Sequence, residues 1–470
     1  MATSPCKLAA TMFSLCVIAS AAPSERYPVD WAQAAEEALR HYSALLRTDT
    51  SNPPGNETRA AKYLQSVLER EGVPVKLLAL EPSRANLVAR LSGNGSKKPI
   101  LIMGHTDVVG VQRAKWSVDP FAAIHKNGFI YGRGAQDDKD NATAGLMLLL
   151  LLKRAGVKLD RDVIYLAEAG EEGTTQVGID FLVREHWPEI AAEYALAEGG
   201  AAVAHEGRVR YVQVSTTEKV PRQVRLVAHG TAGHGSRPVP DNVVVHLSAA
   251  VAKFGGWQPP MRLNETTRTF FERLAAISPP EEAVRFRGIL DPNQAPAIER
   301  YFFEHEPGYY TVLRTSVTPT MIHAGFRNNV IPSEGTAWLD VRALPDEDID
   351  GLYSQLGRVI NDPAVQLVPF HQTDRPATPP SRLDTEMFRA LETAQRRMFP
   401  TAVTLPAMLA GATDMAQIRA KGVQAYGVGP VVDDSGAGGA HADDERLAEG
   451  SLEKFIQYLW YAVLEVAASR

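Results

Sequence analysis

Short apolar runs that end in ionisable side chains restrict this chain more than any other feature. Ile100-Leu101-Ile102-Met103 leads into Gly104-His105-Thr106-Asp107, Val163-Ile164-Tyr165-Leu166-Ala167 into Glu168-Ala169-Gly170-Glu171-Glu172-Gly173, and Tyr194-Ala195-Leu196-Ala197 into Glu198-Gly199-Gly200. The runs have strand length and no polar interruption, the pattern of strands covered on both faces. A helical stretch from Gly145 to Leu159 separates the first two. Strands alternating with helices predict an α/β fold with a central, mostly parallel sheet, and such sheets build their sites at the carboxyl ends of strands. Random surface charge has no reason to favour those ends.

The remaining composition is that of an ordinary globular protein: 470 residues, 45% hydrophobic, 22% charged, net charge −6. A mildly acidic chain has no electrostatic reason to bind nucleic acid or anionic lipid. Lys7, the apolar run Leu8 to Ala19 and the small residues Ala19-Ser20-Ala21 predict a secretory signal over 1–21, hence a secreted or periplasmic protein with no membrane attachment after cleavage. An uncleaved anchor is the rival reading, but about 12 apolar residues fall short of the roughly 20 that span a bilayer. Lipid attachment at Cys16 is opposed by the bulk of Leu15 before it. Cys6 and Cys16 both lie inside the signal, so the exported chain is expected to hold no disulfide, thiolate-bound metal or cysteine nucleophile.

Helical spacing runs from Trp31 to about Arg70, broken at Asn52-Pro53-Pro54-Gly55. After about Arg210 the texture changes. Alternating strands around Val212 to Ala228, a helix from Asn242 to Phe254, strands at Tyr310 to His323 and Gly335 to Val341, and a helix from Asp348 to Ile360 make a β-α-β-β-α-like set. The predicted organisation is a catalytic domain in two parts, 26–210 and 373–470, with a second domain inserted at 211–372 that carries a helical elaboration at about 256–308.

Chemistry concentrates in separated motifs. His105 stands two residues before Asp107, as a metal-ligating imidazole oriented by a carboxylate does; the plain alternative is a surface pair. Gly134-Ala135-Gln136-Asp137-Asp138-Lys139-Asp140 precedes the buried helix, where carboxylates need a cationic partner or serve as helix caps. Glu171-Glu172 and Glu198 close strands, although a solvated loop also explains the pair. Gly438-Gly439-Ala440-His441 adds a second imidazole. Two divalent cations against Asp137, Glu172 and Glu198 leave one positive charge for an activated water to balance. Mixed imidazole and carboxylate donors without thiolate suit Zn²⁺, with Mn²⁺ or Co²⁺ as substitutes. Glu171 is then free to act as general base. A serine hydrolase is disfavoured: the nearest candidate, Ser236, has His234 and Pro238 where the nucleophile turn requires glycines.

In this order the motifs resemble those of the acetylornithine deacetylase, succinyl-diaminopimelate desuccinylase and carboxypeptidase G family of di-zinc metallopeptidases, with aminoacylase-1 and carnosinase among its members. The resemblance implies a phosphorylase/hydrolase-like α/β catalytic domain with an inserted α+β, ferredoxin-like lid and dimerisation domain. It implies two Zn²⁺ per chain, one held by His105 and Glu198, the other by Glu172 and His441, with Asp137 bridging and Asp107 orienting His105. Glu171 matches the base, and the peptide bond after Asp137 is expected to be cis. His234 matches a lid histidine that reaches a neighbouring active site in a homodimer and stabilises an oxyanion; a turn histidine is its alternative. Asn329 and Arg342 match residues that bind the substrate carboxylate, while a strand-edge salt bridge to Asp340 or Glu334 accounts for Arg342 equally. Asp138 and Asp140 around Lys139 depart from many relatives and resemble the carboxypeptidase S and secreted N-acyl-amino-acid amidohydrolase branch. The implied activity is a secreted exopeptidase, of carboxypeptidase or dipeptidase type, cleaving an amide bond beside a residue with a free carboxylate. An N-acyl-amino-acid deacylase is the alternative. A non-catalytic binding protein on the same scaffold is opposed by the presence of every ligand and the base.

Overall fold

The computed structural model describes residues 26–469; the expected signal over 1–21, with Cys6 and Cys16, lies outside them. A ten-stranded sheet is built from β1 (Val75–Ala79), β2 (Ala85–Leu91), β3 (Ile100–His105), β4 (Val163–Glu168), β5 (Tyr194–Ala197), β6 (Ala201–His205), β7 (Arg208–Glu218), β8 (Val403–Leu409), β9 (Gln424–Gly427) and β10 (Val431–Asp433). The spatial order is β1-β2-β4-β3-β5-β9-β7-β6-β10, with β8 paired to β7. β4, β3, β5 and β9 run parallel. The pairs β1–β2, β2–β4 and β6–β7 are antiparallel, so the sheet is mixed and its expected parallel character belongs to the centre. Connections as short as Glu206-Gly207 between β6 and β7 cannot make a parallel crossover.

Helices α1 (Trp31–Leu46), α2 (Glu57–Arg70), α3 (Lys139–Arg154), α4 (Glu386–Met398) and α5 (Ser451–Ala467) accompany the sheet. Leu45, Leu64, Leu148, Leu391 and Trp460 meet in one core with β2, β3 and β4. α3 begins at Lys139, earlier than the apolar pattern predicts, and every residue from Lys139 to Leu152 is buried, including Asp140, Asn141 and Thr143. Capping does not explain its acids. Asp138 occupies the cap position without a side-chain cap bond, and both Asp140 carboxylate oxygens are buried without a hydrogen-bond partner among the described residues.

The inserted sheet has strands Ser316–Ala324, Glu334–Ala343, Val224–His229 and Val365–Pro369 in that spatial order, all antiparallel. Helices Val243–Lys253 and Ile349–Ile360 cover it through Leu247, Phe254, Leu352 and Leu356. Two boundaries require correction. Residue 211 lies within β7, whose pairing with β8 continues to Glu218, and the inserted sheet's first pairing is Val220 with Ala343. The helical elaboration does not pack as part of the inserted sheet's core: Phe271, Phe286 and Phe302 cluster with Leu405 of β8, and Tyr211 packs against them. The strand expected from Tyr310 starts at Ser316, after a helical turn over Pro307–Thr311.

Candidate active site

Three parallel strands deliver the first candidate ligands. β3 ends on His105, β4 on Glu168 with Glu171 and Glu172 in the following turn, and β5 is followed by Glu198. Gly104 lets α3 approach: a Cβ there would lie 2.7 Å from the Ala142 amide nitrogen. The close packing sets the turn before α3 against β3. Asp138 accepts from the His105 backbone N–H at 3.1 Å and from Asn141 Nδ2 at 2.6 Å, and the Asp137-Asp138 peptide is cis, as expected. Beneath the turn, buried Glu445 accepts from Arg133 Nη1 at 2.7 Å and Gln136 N at 2.7 Å, which ties the turn to the loop bearing His441.

All five expected ligands converge. His105 Nε2 lies 2.9 Å from Asp137 Oδ1 and 4.0 Å from Glu198 Oε2. His441 Nε2 lies 3.1 Å from Asp137 Oδ2 and 2.9 Å from Glu172 Oε1. Asp137 therefore presents one oxygen to each of two sets, and within each set the donor atoms lie within 4.8 Å of one another. The electrostatics call for cations. Burial pushes the Glu198 carboxyl well up. Burial acts the same way on Asp137, but hydrogen bonds from His105 and His441 outweigh it and hold that carboxyl below its ordinary value. Hydrogen bonds to Asp137 and Glu172 push His441 up to about 10. So dense a set of carboxylates is stable only with positive charge among them, and the donor set fits a pair of divalent ions.

Asp107 does more than orient His105. The His105 Nδ1 contact is to the Asp107 backbone carbonyl at 2.9 Å, and the carboxylate stands 3.5 Å away. That carboxylate instead accepts from the backbone N–H groups of Gly170, Glu171 and Glu172 at 2.9, 3.1 and 3.1 Å, and from Asn52 Nδ2 at 2.8 Å. It fixes the turn that carries Glu171 and Glu172 together. Asn52, read from the sequence only as part of a loop break, also donates to the Glu172 carbonyl at 3.1 Å.

Glu171 is buried and meets Arg375, whose Nη2 donates to Oε1 at 2.9 Å; Arg375 also pairs with buried Asp414. Burial and Asp414 push the Glu171 carboxyl up to about 8 against the pull of Arg375. No local sequence signal marks Arg375 or Asp414 as part of the site. Arg342 borders a cavity of about 270 Å³ shared with Glu171, Glu172 and Arg375. It also makes the expected strand-edge salt bridge, Nε to both Asp340 oxygens at 3.1 Å. The structure does not bring His234 and Asn329 to this cavity. Both are exposed, His234 on the segment Gly233–His234 and Asn329 just before its partner Val330–Ile331; the Asn329 carbonyl accepts from Gly235 N at 2.8 Å and His234 Nδ1 lies 2.8 Å from Ser236 Oγ.

Comparison with known proteins places the chain in a family. "Probable carboxypeptidase S-like 2" of Dictyostelium discoideum is 27% identical over 78% of this chain and 72% of its own. The "N-fatty-acyl-amino acid synthase/hydrolase" of Homo sapiens is 27% identical over 81% of this chain and 77% of its own. An M20 family metallo-carboxypeptidase from Sulfolobus solfataricus shares the fold, with a TM-score of 0.69 at 20% identity, over 92% of this chain and 99% of that one. The description of peptidase family M20/M25/M40 matches residues 101–465, and the chain belongs to that family of peptide- and amide-bond hydrolases.

Proposed function

We propose that the protein is a zinc-dependent exopeptidase, of carboxypeptidase or dipeptidase type, that cleaves an amide bond beside a residue with a free carboxylate. The observation that carries this reading is Asp137, with one oxygen facing His105 and Glu198, the other facing His441 and Glu172, and Glu171 buried beside them. His105 and Glu198 would hold one ion, Glu172 and His441 the other, and Asp137 both. Such a pair supplies Lewis acidity, lowering the pKa of a water and offsetting charge on the carbonyl oxygen under attack. Glu171 takes the proton from the attacking water and delivers it to the leaving amine. Arg375 holds the Glu171 carboxylate in place, and Arg342 receives the substrate carboxylate across the cavity they share.

His234 and Asn329 act in this reading from a second copy of the chain. The edge strand Ser316–Ala324 leaves Met321 and Ile322 half exposed, and Phe326 beyond it is 85% exposed, which supports a homodimer formed through the lid. His234 would then help hold the oxyanion. Export follows from the signal expected at 1–21, and no helix among the described residues is long and apolar enough to cross a membrane. The N-acyl-amino-acid deacylase reading is favoured by a different observation, the similarity to a protein described as an N-fatty-acyl-amino acid synthase/hydrolase. Purified protein, stripped by chelation and restored with zinc, is to be assayed on dipeptides, on N-acyl amino acids and on carboxy-amidated versions of both. Zinc-dependent turnover confined to free-carboxylate substrates supports the proposal; zinc-independent turnover, or equal rates on the amidated analogues, overturns it.

A further inference from the structure

Lys219 is the first residue past β7, where the chain leaves the large sheet for the inserted one. Its side chain is completely buried. Nζ donates to the Thr311 carbonyl and to Ser316 Oγ, each at 2.9 Å, and no carboxylate among the described residues forms an ion pair with it. Burial and the charges of Arg342 and Arg314 push the amine down to about 7, against the pull of Asp340. A buried cation with only neutral partners is costly, so a lysine kept at this point calls for a reason beyond packing.

The reason lies in what its bonds hold. Ser316 opens the strand Ser316–Ala324 and stands opposite Arg342 in the register of the inserted sheet. On the other side of Arg342 stands Pro221, two residues beyond Lys219, and Val220 pairs with Ala343. Arg342 is thus flanked by the strand that Lys219 begins and by the strand whose first residue Lys219 bonds. The backbone N–H of Lys219 donates to the Leu409 carbonyl of β8 at 2.9 Å. Glu218, just before it, accepts from Thr413 N at 3.0 Å, Thr413 Oγ1 at 2.7 Å and Arg419 Nη1 at 2.9 Å. Thr413 precedes Asp414, the partner of Arg375 beside Glu171. One crossing between the two sheets therefore anchors the turn behind Glu171 and the strands around Arg342. From this placement we infer that Lys219 is a positioning residue for Arg342: it sets where the guanidinium stands relative to Glu171 and the candidate metal ligands, and so how well a substrate carboxylate is held while the amide bond lies beside them. The inference rests on the proposed reading of Arg342 as the carboxylate receptor. The helical elaboration takes part through Thr311, whose carbonyl is the second acceptor of Nζ.

The test uses the full zinc-loaded protein with a dipeptide and an N-acetyl amino acid, each also as its carboxy-amide. Lys219→Met keeps a side chain of similar size and removes the donors; Ser316→Ala keeps Lys219 and removes the acceptor opposite Arg342. Each is expected to raise KM for the free-carboxylate compound about tenfold or more, with kcat little changed and the amide little affected, as when binding to one group is lost equally from ground and transition states. In an Arg342→Met background either change is expected to add less than about twofold, because the contact through which it acts is gone. A clamp with no bearing on Arg342 gives a different result: a lower midpoint of urea unfolding and a wild-type ratio of KM between amide and free carboxylate. With Lys219→Met the midpoint is expected to hold or rise, since an apolar side chain replaces a buried cation that has only neutral partners. An unchanged KM ratio in both variants, an equal rise on both forms, or full additivity with Arg342→Met overturns the inference. Should Lys219→Met fail to fold, Ser316→Ala decides alone. An Arg342→Met variant that does not distinguish the two forms defeats the carboxylate reading itself, whereas a selective Arg342→Met beside unselective Lys219→Met and Ser316→Ala defeats only the role of Lys219.

Discussion

Replacing Arg375 with methionine removes the guanidinium that touches Glu171 while keeping a side chain of similar reach. The Nη2 to Oε1 distance of 2.9 Å makes this a direct, largely desolvated ion pair. A cation at that range lowers a carboxyl pKa by about 1–3 units, so its removal raises the pKa of Glu171 by the same amount. In the proposed mechanism Glu171 works as a base only when ionised, and activity is therefore expected to be lost as pH falls through its pKa. Raising that pKa moves the acid limb of kcat/KM to higher pH by about 1–3 units, and at a fixed pH on that limb the rate falls roughly 10- to 1000-fold. Bound cations displace both profiles together, so the comparison is between wild type and variant. The measurement is kcat/KM from pH 5 to 10 for both proteins, with zinc content determined on the same samples. Two zinc ions per chain, a displaced acid limb and recovery at high pH are expected. A uniform loss at every pH would mean that Arg375 only places the carboxylate, and an unchanged profile would remove it from the mechanism. Asp414 is left buried without its partner in this variant, and adding Asp414→Asn should restore part of the roughly 3–5 kcal/mol of stability that an unpaired buried charge costs.

Glu171→Ala should abolish most turnover while retaining two metals per chain; near-normal rates would reassign the base. Asp107→Asn presents an amide N–H₂ to Asn52 Nδ2 or to the backbone N–H groups it should accept from, and is expected to lower zinc affinity about 10- to 100-fold in a competitive chelator titration. Gly104→Ala drives a methyl group against the α3 backbone and should destabilise the fold by about 1–3 kcal/mol in urea unfolding, through overpacking at the site's foundation. Arg342→Met should raise KM for free-carboxylate substrates with less effect on carboxy-amidated ones, and an equal effect on both would refute its contact with the carboxylate.

Three of the five expected ligands are legible at strand ends, whereas Asp137, in the turn before α3, and His441, on a loop, are reached only through the family resemblance. His105, Glu172 and Glu198 each follow an uninterrupted apolar run, and the pleat that buries such a run on both faces also dictates where its end emerges. Arg375 has no such marker. It follows the inserted domain on an irregular, proline-flanked segment, and its role exists only because folding returns that segment across the sheet to Glu171. Asn52 is similar, a residue of a two-residue strand beside Val109 whose side-chain partners Asp107 and Glu172 are more than fifty positions away. The start of α3 was missed for the opposite reason: Lys139, Asp140 and Asn141 look like solvent residues, yet they are buried because the site requires charge at that depth. The same logic displaced the inserted domain's boundary. β7 alternates as an exposed-edge strand does, but its outer neighbour β8 arrives from almost two hundred residues later, and the helical elaboration then packs over that junction. Local pattern thus locates the candidate ligands at strand ends, whereas Arg375 and Asn52, which touch Glu171 and Asp107, are placed by contacts that no local pattern records.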